Sequence, residues 1–360
     1  MQHFRHPLVI AGAFVFCTLF PSHANAWHKV GHMVSALAAY DELQKTDPAL
    51  CKKLVMILRQ HPRFSLDFEP LIPVDLNDEE QSQWIFCLAA DWPDLVRPIP
   101  GKANNPPKIP ADPASRTTYH RPQWHFINFP YGVPVAQEEA LEAAAKQNLD
   151  LDTNTPAKEE MNFNAIQAFK FNANILTTSD DPKAQAVALC WILHLSGDLH
   201  QPLHCIALFT PHLFAPGTGG KTEGDRGGNS ITWGTGQGDN LHSVWDDSPG
   251  PNSEAQQYAS IRNVTAHLLS PDNLQAAKAA QRQLDPATWA QESFTIAKTE
   301  AYTEAVIKDV LLSDQNANVV PSHVITKPDG YENAIRPTAT KRVAEAGFRI
   351  AAWLKANPAK

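Results

Sequence analysis

The sequence has few basic residues relative to acidic ones, and this limits what the protein can bind. Lys and Arg together number 30 against 38 Asp and Glu, so the formal net charge is −8. A chain this acidic is a poor candidate for binding duplex nucleic acid through a broad basic surface. A site in which bound metal cations supply the positive charge could still bind nucleic acid. The 43% of hydrophobic residues excludes a disordered chain.

Several common site motifs are also absent. No Gly-rich phosphate loop and no GxSxG elbow follows a predicted strand, and the cysteines form no CxxC pair. A zinc site built from cysteine is therefore not expected. The sequence contains no internal repeat, heptad run or low-complexity tract.

Residues 1–26 have the pattern of a signal peptide. A short N-terminal region with one Arg and no acid precedes an apolar run over 8–20, and a small-x-small cleavage pattern ends at Ala26. The apolar run is too short to span a bilayer comfortably. We therefore expect a mature chain that begins at Trp27, exported to the periplasm or the medium, with no transmembrane segment left. An uncleaved N-terminal anchor is the alternative.

Export would place the remaining cysteines in an oxidising compartment. They are Cys51, Cys87, Cys190 and Cys205. Four cysteines permit two disulfide bonds in any of three pairings. We expect disulfide bonds, with buried free thiols as the alternative.

Apolar periodicity predicts a mostly helical chain. Helices are expected over residues 28–45, 49–60, 79–97, 135–147, 157–177, 182–200, 254–270, 286–311 and 338–356. The prolines between 98 and 122 predict a loop. The Gly-rich stretch 205–240 predicts a second, long loop, in which 230–233 could form one strand of a small hairpin. The predicted fold class is all-α: one helical domain over 27–360, with long loops and at most a small β-hairpin.

The histidine-rich stretch from 194 to 204 carries the main functional signal. His194 and Asp198 are four residues apart, so on a helix they share one face. Pro202 should end or bend this helix and let His204 turn back towards the same site. A single buried histidine is usually a core residue, but burying this set without a cation would be expensive.

Other segments offer the same kinds of ligand. His242 and Asp246 are again four apart, although a structural His–Asp pair would have this spacing too. Cleavage would free the Trp27 amine, whose unperturbed pKa near 8 lets zinc displace its proton, and His32 lies close by in sequence. Imidazole and carboxylate ligands without sulfur favour zinc, and there are too many for one ion.

These segments, in this order, resemble the S1/P1 nuclease family of zinc-dependent, single-strand-specific nucleases and 3′-nucleotidases. The resemblance rests on HxxGDxHQPLH and NLHxxWD, supported by WHFIN, the N-terminal WxxxGH and a weaker C-terminal match over 346–351. It implies an all-α fold of the phospholipase C and nuclease type with three zinc ions. The implied ligands are Asp94, His125 and His194 for one ion; His204, His242 and Asp246 for a second; the Trp27 amine and carbonyl with His32 for the third; and Asp198 as a bridge between the first and third.

The resemblance also implies a mechanism and a substrate. Asp94, Arg97 and Asp198 would be catalytic, with a metal-bridging hydroxide attacking phosphorus to leave 5′-phosphate products. Single-stranded DNA, RNA and nucleotides would be the substrates, and the enzyme would be a monomer.

Three further residues would contact the substrate. Phe126 would stack on a base, a contact worth roughly 1–3 kcal/mol, unless it is packed in the core. Asn128 stands at a base-reading position where the best-known fungal members have Asp, and Asn229 lies in an RGGN segment that matches the family's GGN.

Two other functions remain open from the sequence. One is a zinc phospholipase C, against which Asp246 argues because those enzymes tend to use Glu there. The other is a non-catalytic zinc-binding interaction protein on the same scaffold, against which the full ligand set argues.

Overall fold

The computed structural model describes residues 27–97, 118–154, 162–217, 223–233, 240–316 and 325–360. The expected signal peptide and most of the proline-rich loop, residues 98–117, lie outside these ranges. In the described part of the chain no helix is both long and apolar enough to cross a membrane.

The described residues are mostly helical, which confirms the predicted all-α class. The α-helices are α1 (Lys29–Thr46), α2 (Pro48–Leu58), α3 (Asp78–Leu95), α4 (Glu138–Lys146), α5 (Ala165–Thr178), α6 (Pro182–Asp198), α7 (Leu241–Asp247), α8 (Tyr258–Leu268), α9 (Pro271–Ala280), α10 (Pro286–Ile296), α11 (Glu304–Gln315) and α12 (Tyr331–Ala356). Short 3-10 turns cover Glu69–Leu71, Pro122–His125, Val135–Gln137, Pro202–Cys205 and Asn252–Gln256, and π turns cover Phe64–Phe68 and Ala297–Ala301.

Side-chain caps decide where several helices begin. The Asn77 side chain accepts from the backbone N–H of Glu80, whose carboxylate accepts in return from Asn77 N, so α3 starts with a reciprocal cap. Asn164 and Gln167 form the same arrangement at α5. That cap places the start of α5 at Ala165, later than the 157–177 span expected from periodicity.

Other helix boundaries also differ from expectation. The predicted helix 286–311 is divided by the π turn, and α11 restarts after Thr303, whose side chain caps it. Helix α12 begins at Tyr331 rather than 338, because the helix continues through Pro337. Helix α9 was not expected as a separate element.

Helices α1, α3, α6 and α12 form the part of the core that carries the candidate site. Helix α1 packs against both α3 and α12, and α6 packs against α3 and α5. The close approach of α12 to α1 depends on Gly347, because a Cβ there would lie 2.6 Å from the Ser35 carbonyl oxygen. Buried tryptophans, among them Trp92 and Trp191, fill the space between these helices.

The small β element is a parallel pair, not a hairpin. Strand β1 (Phe129–Gly132) pairs with β2 (Ile206–Phe209), with Phe129 opposite Ile206. Within the described residues, the expected hairpin strand at 230–233 contributes one isolated antiparallel bridge, Thr232 with Asn240. Strand β2 directly follows the Pro202–Cys205 turn and β1 begins shortly after the Pro122–His125 turn, so their pairing brings these two turns together.

The cysteines are not paired, so the expected disulfide bonds are absent from the structure. All four cysteines within the described ranges are free and buried. The Cys87 thiol contacts the Met33 carbonyl oxygen at 3.4 Å, and the Cys205 thiol contacts the Leu199 carbonyl oxygen at 3.8 Å. Each thiol packs as a small apolar side chain, which is the alternative left open by the sequence.

Candidate metal centre

The predicted ligands meet in two adjoining clusters. Among the described residues, three sets place one ligand atom per residue within 4.8 Å of one another: His32, His194 and Asp198; Asp94, His125 and His194; and His204, His242 and Asp246. The first two sets share His194, and together they form what we call the His194 cluster. The third set is the His204 cluster.

Asp198, at the end of α6, lies between these sets. Its Oδ2 is 3.2 Å from both His125 Nδ1 and His194 Nε2. Its Oδ1 is 3.5 Å from His32 Nε2 and 3.7 Å from His204 Nδ1. The two oxygens of one carboxylate therefore face different histidines, as a residue that bridges two ions would.

Helices α1, α3 and α6 supply most of the His194 cluster. The rings of His32 and His194 stack with centroids 4.0 Å apart. Asp94, near the end of α3, places Oδ1 3.7 Å from His194 Nε2 and 2.9 Å from the Nε of Arg97. Arg97 is buried, so its positive charge lies beside the cluster with little access to solvent.

The His204 cluster is built on a turn and a short helix. His204 lies in the Pro202–Cys205 turn, and α7 carries His242 and Asp246 on one face. Gln201 Nε2 donates to Asp246 Oδ1 at 2.7 Å, which ties the turn to the helix. Pro202 ends α6 as expected, and the chain turns back towards the site.

Backbone carbonyls orient three of the histidines. The Nδ1–H groups of His194, His204 and His242 donate to the carbonyl oxygens of Ala90, His125 and Gly227, at 2.7, 2.5 and 2.7 Å. This pattern fixes the tautomer and leaves each Nε2 as an acceptor.

The resulting geometry fits a bound cation. His242 Nε2 and His204 Nε2 lie 3.2 Å apart. Both are acceptors, so neither can donate to the other, and a cation between them would relieve the repulsion. In the His194 cluster, both ring nitrogens of the fully buried His32 have no hydrogen-bond partner in the described part of the chain.

Burial shifts the pKa values of the carboxylates in the direction that a divalent cation would reverse, and those of two histidines in the direction that it would reinforce. It raises the pKa of Asp198 to about 6, against the opposing effect of His194, and it raises the pKa of Asp246 well above its usual range. Burial likewise lowers the pKa of His32 and His125. A bound metal ion favours ionised carboxylates and neutral imidazoles at the same time.

The first described residue lies beside both clusters. Trp27 is fully buried, and its indole Nε1 donates to the Gly197 carbonyl oxygen at 2.9 Å. The backbone N–H of His28 donates to the Asp246 carbonyl oxygen at 3.2 Å, and its ring contacts the Asp247 carboxylate. Residue 27 is therefore near His32 and α6, where the predicted third set of ligands requires it.

Two of the three predicted substrate residues share a cavity. Phe126 and Asn128, both half-buried, line a space of about 290 Å³. Asn148, Asp150 and Glu223 also line it. Phe126 directly follows His125 in the chain, but none of the described ligand candidates lines this cavity.

Asn229 is placed differently. It is buried, its Nδ2 donates to the Arg226 carbonyl oxygen at 2.9 Å, and it is not among the described residues lining that cavity. It lies two residues after Gly227, whose carbonyl orients His242. The RGGN segment thus supports the His204 cluster.

Sequence reasoning missed Gly197, between His194 and Asp198. A Cβ at this position would lie 2.7 Å from His32 Nδ1, so only glycine lets α1 and α6 approach this closely. The available signal was a glycine inside a helix, which costs about 1 kcal/mol relative to Ala and implies a packing reason.

The fold and the two clusters define an all-helical protein with a buried centre of histidine and aspartate that could hold metal ions. The chain matches the S1/P1 nuclease family over residues 27–357, and it belongs to that family. It is also similar to Nuclease S1 of Aspergillus oryzae, with 26% identity over 209 residues. That match covers 53% of this chain and 61% of the relative, which is less than two thirds of its length.

Proposed function

We propose that this chain is an exported, zinc-dependent nuclease that hydrolyses single-stranded DNA and RNA to 5′-phosphate products and also acts as a 3′-nucleotidase. Membership of the S1/P1 nuclease family supports the reaction class. The observation that carries the proposal is the position of Asp198, whose Oδ1 faces His32 of one set and whose Oδ2 faces His125 of another.

Three zinc ions would occupy the two clusters. Asp94, His125 and His194 would hold one, and His204, His242 and Asp246 another. The Trp27 amine and carbonyl with His32 would hold the third, and Asp198 would bridge. When bound, the ions would supply Lewis acidity and lower the pKa of a coordinated water towards neutrality.

The chain's own residues would bind and orient the phosphodiester. The Arg97 guanidinium, whose Nε lies 2.9 Å from Asp94 Oδ1, would neutralise charge on phosphoryl oxygens beside the His194 cluster. Because Arg97 is largely buried, its attraction for a phosphate is weakly screened by solvent.

The cavity lined by Phe126 and Asn128 would receive a base. Phe126 offers a ring face for stacking, and Asn128 can both donate to and accept from a base edge. A base within a duplex is covered on both faces, so this contact favours single strands. Asn229, in the RGGN segment, would also contact the substrate.

A head-to-head assay tests the reaction. Protein that begins at Trp27 and is loaded with zinc is given single-stranded DNA, duplex DNA, RNA, 3′-nucleotides and phosphatidylcholine. We expect cleavage of the single-stranded polymers and of 3′-nucleotides, with 5′-phosphate ends on the polymer products. Cleavage of phosphatidylcholine alone would identify a phospholipase C instead. Zinc-replete protein that cleaves no substrate would identify a non-catalytic binding protein.

The N-terminal ligand requires its own test. A preceding residue converts the Trp27 amine into an amide nitrogen, which is a poor zinc ligand, so a form that retains Met before Trp27 should bind fewer zinc ions than the form that starts at Trp27. Elemental analysis of both forms measures this. Equal zinc content and equal activity would contradict an N-terminal ligand.

A further inference from the structure

A buried network of charged side chains lies behind the turn that joins Asp198 to His204. It is centred on His200, which is fully buried and belongs to none of the ligand sets. Around it lie Arg342 and Arg349 of α12, both buried, with Glu292 of α10. The proposed reaction uses none of these side chains.

The ring of His200 is held in one orientation from both sides. Its Nδ1–H donates to the Ser196 carbonyl oxygen at 2.7 Å, within α6. Its Nε2 accepts from Nη1 of Arg349 at 3.0 Å. Arginine can only donate, so this contact requires Nε2 to be unprotonated and selects the Nδ1–H tautomer.

Arg349 is itself fixed. Its Nη1 and Nη2 donate to the two carboxylate oxygens of Glu292 at 2.6 and 2.8 Å, and its Nε donates to the Ala280 carbonyl oxygen at 3.1 Å. Such paired hydrogen bonds set the plane of a guanidinium. From the same helix, Arg342 Nε donates to the His200 carbonyl oxygen at 3.3 Å.

These contacts fix the segment that carries two candidate ligands. His200 N donates to the Gly197 carbonyl oxygen, and Gln201 N donates to the Asp198 carbonyl oxygen, both at 3.0 Å. A shift of His200 would therefore be transmitted to Asp198 on one side and to His204 on the other.

The C-terminal segment 346–351 also joins the ligand-bearing helices. Ser196 Oγ on α6 donates to the Ala346 carbonyl oxygen at 3.2 Å, while Gly347 lies against Ser35 on α1. Arg349 completes the contact through His200. These contacts explain why segment 346–351, although remote in sequence from the ligand motifs, also matches the family.

We propose that Arg349 is a positioning residue of the metal centre: its guanidinium holds the His200 ring and thereby fixes the turn that carries Asp198 and His204. The proposal rests on the proposed function, in that these two residues are taken to be metal ligands. Arg349 is 3% exposed and its guanidinium is bonded to Glu292 and His200, so it acts through His200 and not on substrate.

The alternative is that Arg349 merely stabilises the fold. Arg349→Met removes the donors while keeping a long apolar stem, and Glu292 keeps Arg342 Nη1 as a partner at 2.9 Å. Arg349→Lys retains the charge. Val310→Ala on α11 is the matched control, because it opens a cavity at a buried site outside the network.

The experiment measures zinc affinity, by competition with a chelator, together with the thermal midpoint and kcat of each variant. We expect about a tenfold weaker zinc affinity in Arg349→Met, since partners behind metal ligands are worth 10–100-fold. Arg349→Lys should recover part of the loss. Val310→Ala should lower the thermal midpoint without changing zinc affinity. An unchanged zinc affinity in Arg349→Met would overturn the proposal.

A second measurement does not depend on zinc or activity. In ¹⁵N-histidine NMR spectra of chelator-treated protein, His200 should show the Nδ1–H tautomer in both forms, because Nδ1 keeps the Ser196 carbonyl as its acceptor, whereas the His200 Nε2 signal should shift in Arg349→Met, where this nitrogen loses its donor. An unchanged His200 signal would overturn the positioning role even if the variant were unstable. Wild-type protein that binds no zinc would instead contradict the proposed function, while the NMR result would still test the Arg349 contact.

Discussion

The His194 cluster and the His204 cluster use similar side chains but are held in different ways. Helices α1, α3 and α6 carry His32, Asp94 and His194, so rigid helix packing sets their spacing. The His204 cluster depends on a turn and a seven-residue helix, α7, whose positions are set by loop contacts. The first arrangement is encoded by residue spacing along helices, and the second by hydrogen bonds to the backbone of the 225–230 loop.

Asp225 shows how that loop is held. This buried carboxylate accepts from Leu208 N at 2.8 Å, from Gly228 N at 2.9 Å and from the Tyr302 hydroxyl at 2.6 Å. The loop then presents the Gly227 carbonyl to His242. Perturbing each cluster separately tests this difference.

The largest effect is expected where the clusters meet. Asp198→Asn removes the carboxylate that faces both sides, so bound zinc and nuclease activity should fall together. The loss should exceed about a hundredfold, because even indirect partners of metal ligands are worth 10–100-fold. Elemental analysis and a single-stranded DNA assay measure it.

Asp314→Asn is the control for this change. Asp314 is another buried aspartate, and its Oδ1 accepts from His212 N and Leu213 N, contacts that an amide oxygen can keep. The Asp314→Asn variant should retain its zinc. A normal zinc content in Asp198→Asn would refute the bridging role.

A change on the helical side should lower metal affinity without unfolding the protein. Gly197→Ala adds a Cβ at 2.7 Å from His32 Nδ1, so the His32 ring must move. Zinc affinity should fall by about tenfold or more. The higher helix propensity of Ala, worth about 1 kcal/mol, partly offsets the steric cost to stability. Unchanged zinc affinity in a chelator titration would show that His32 is not confined as described.

A change on the loop side should act mainly through the His204 cluster. Tyr302→Phe removes the hydroxyl that donates to Asp225, at a cost of about 1–3 kcal/mol because a buried acceptor loses a partner. The loop that orients His242 should loosen, and one zinc ion should be lost more readily than the others. Urea unfolding and stepwise zinc removal measure the two effects. Simultaneous loss of all zinc would contradict the separation of the clusters.

The smallest effect concerns His61, a buried histidine outside both clusters. Burial lowers its pKa to about 3, with Asp67 opposing the shift. In the unfolded chain its pKa is about 6.5. Above about pH 6.5 His61 is neutral in both the folded and the unfolded chain, so it does not reduce stability. As the pH falls from about 6.5 towards 3, the unfolded chain binds a proton that the folded protein does not, and the free energy of unfolding falls by at most about 1.4 kcal/mol per pH unit.

His61→Phe should remove this pH dependence. The free energy of unfolding of the wild type minus that of the variant, from urea titrations at pH 7, 6 and 5, should become smaller as the pH falls. A difference that stays constant over this range would show that His61 does not remain neutral in the folded protein.

The same contrast explains what the sequence could predict. The four-residue spacing of His194 with Asp198, and of His242 with Asp246, predicted shared helix faces, and the structure has them. Pro202 correctly indicated the end of α6. These predictions rest on local geometry, which depends little on the rest of the chain.

Features that depend on distant contacts were not predictable in this way. The carbonyls of Ala90 and Gly227 orient two histidines, but every residue has a carbonyl, so no residue type indicates them. The parallel β1–β2 pair joins residues 77 positions apart in the chain, and alternation within one short strand cannot reveal its partner. The cysteines could not be judged from their even number alone, because pairing depends on which thiols approach each other.

The most direct test of the account is anomalous X-ray diffraction at the zinc absorption edge, on crystals of zinc-saturated protein that begins at Trp27. The account predicts three anomalous peaks: one among Asp94, His125 and His194, one among His204, His242 and Asp246, and one beside His32 and residue 27, with Asp198 between the first and the last. Crystals with no zinc peak at these side chains, or with zinc bound only elsewhere, would contradict it.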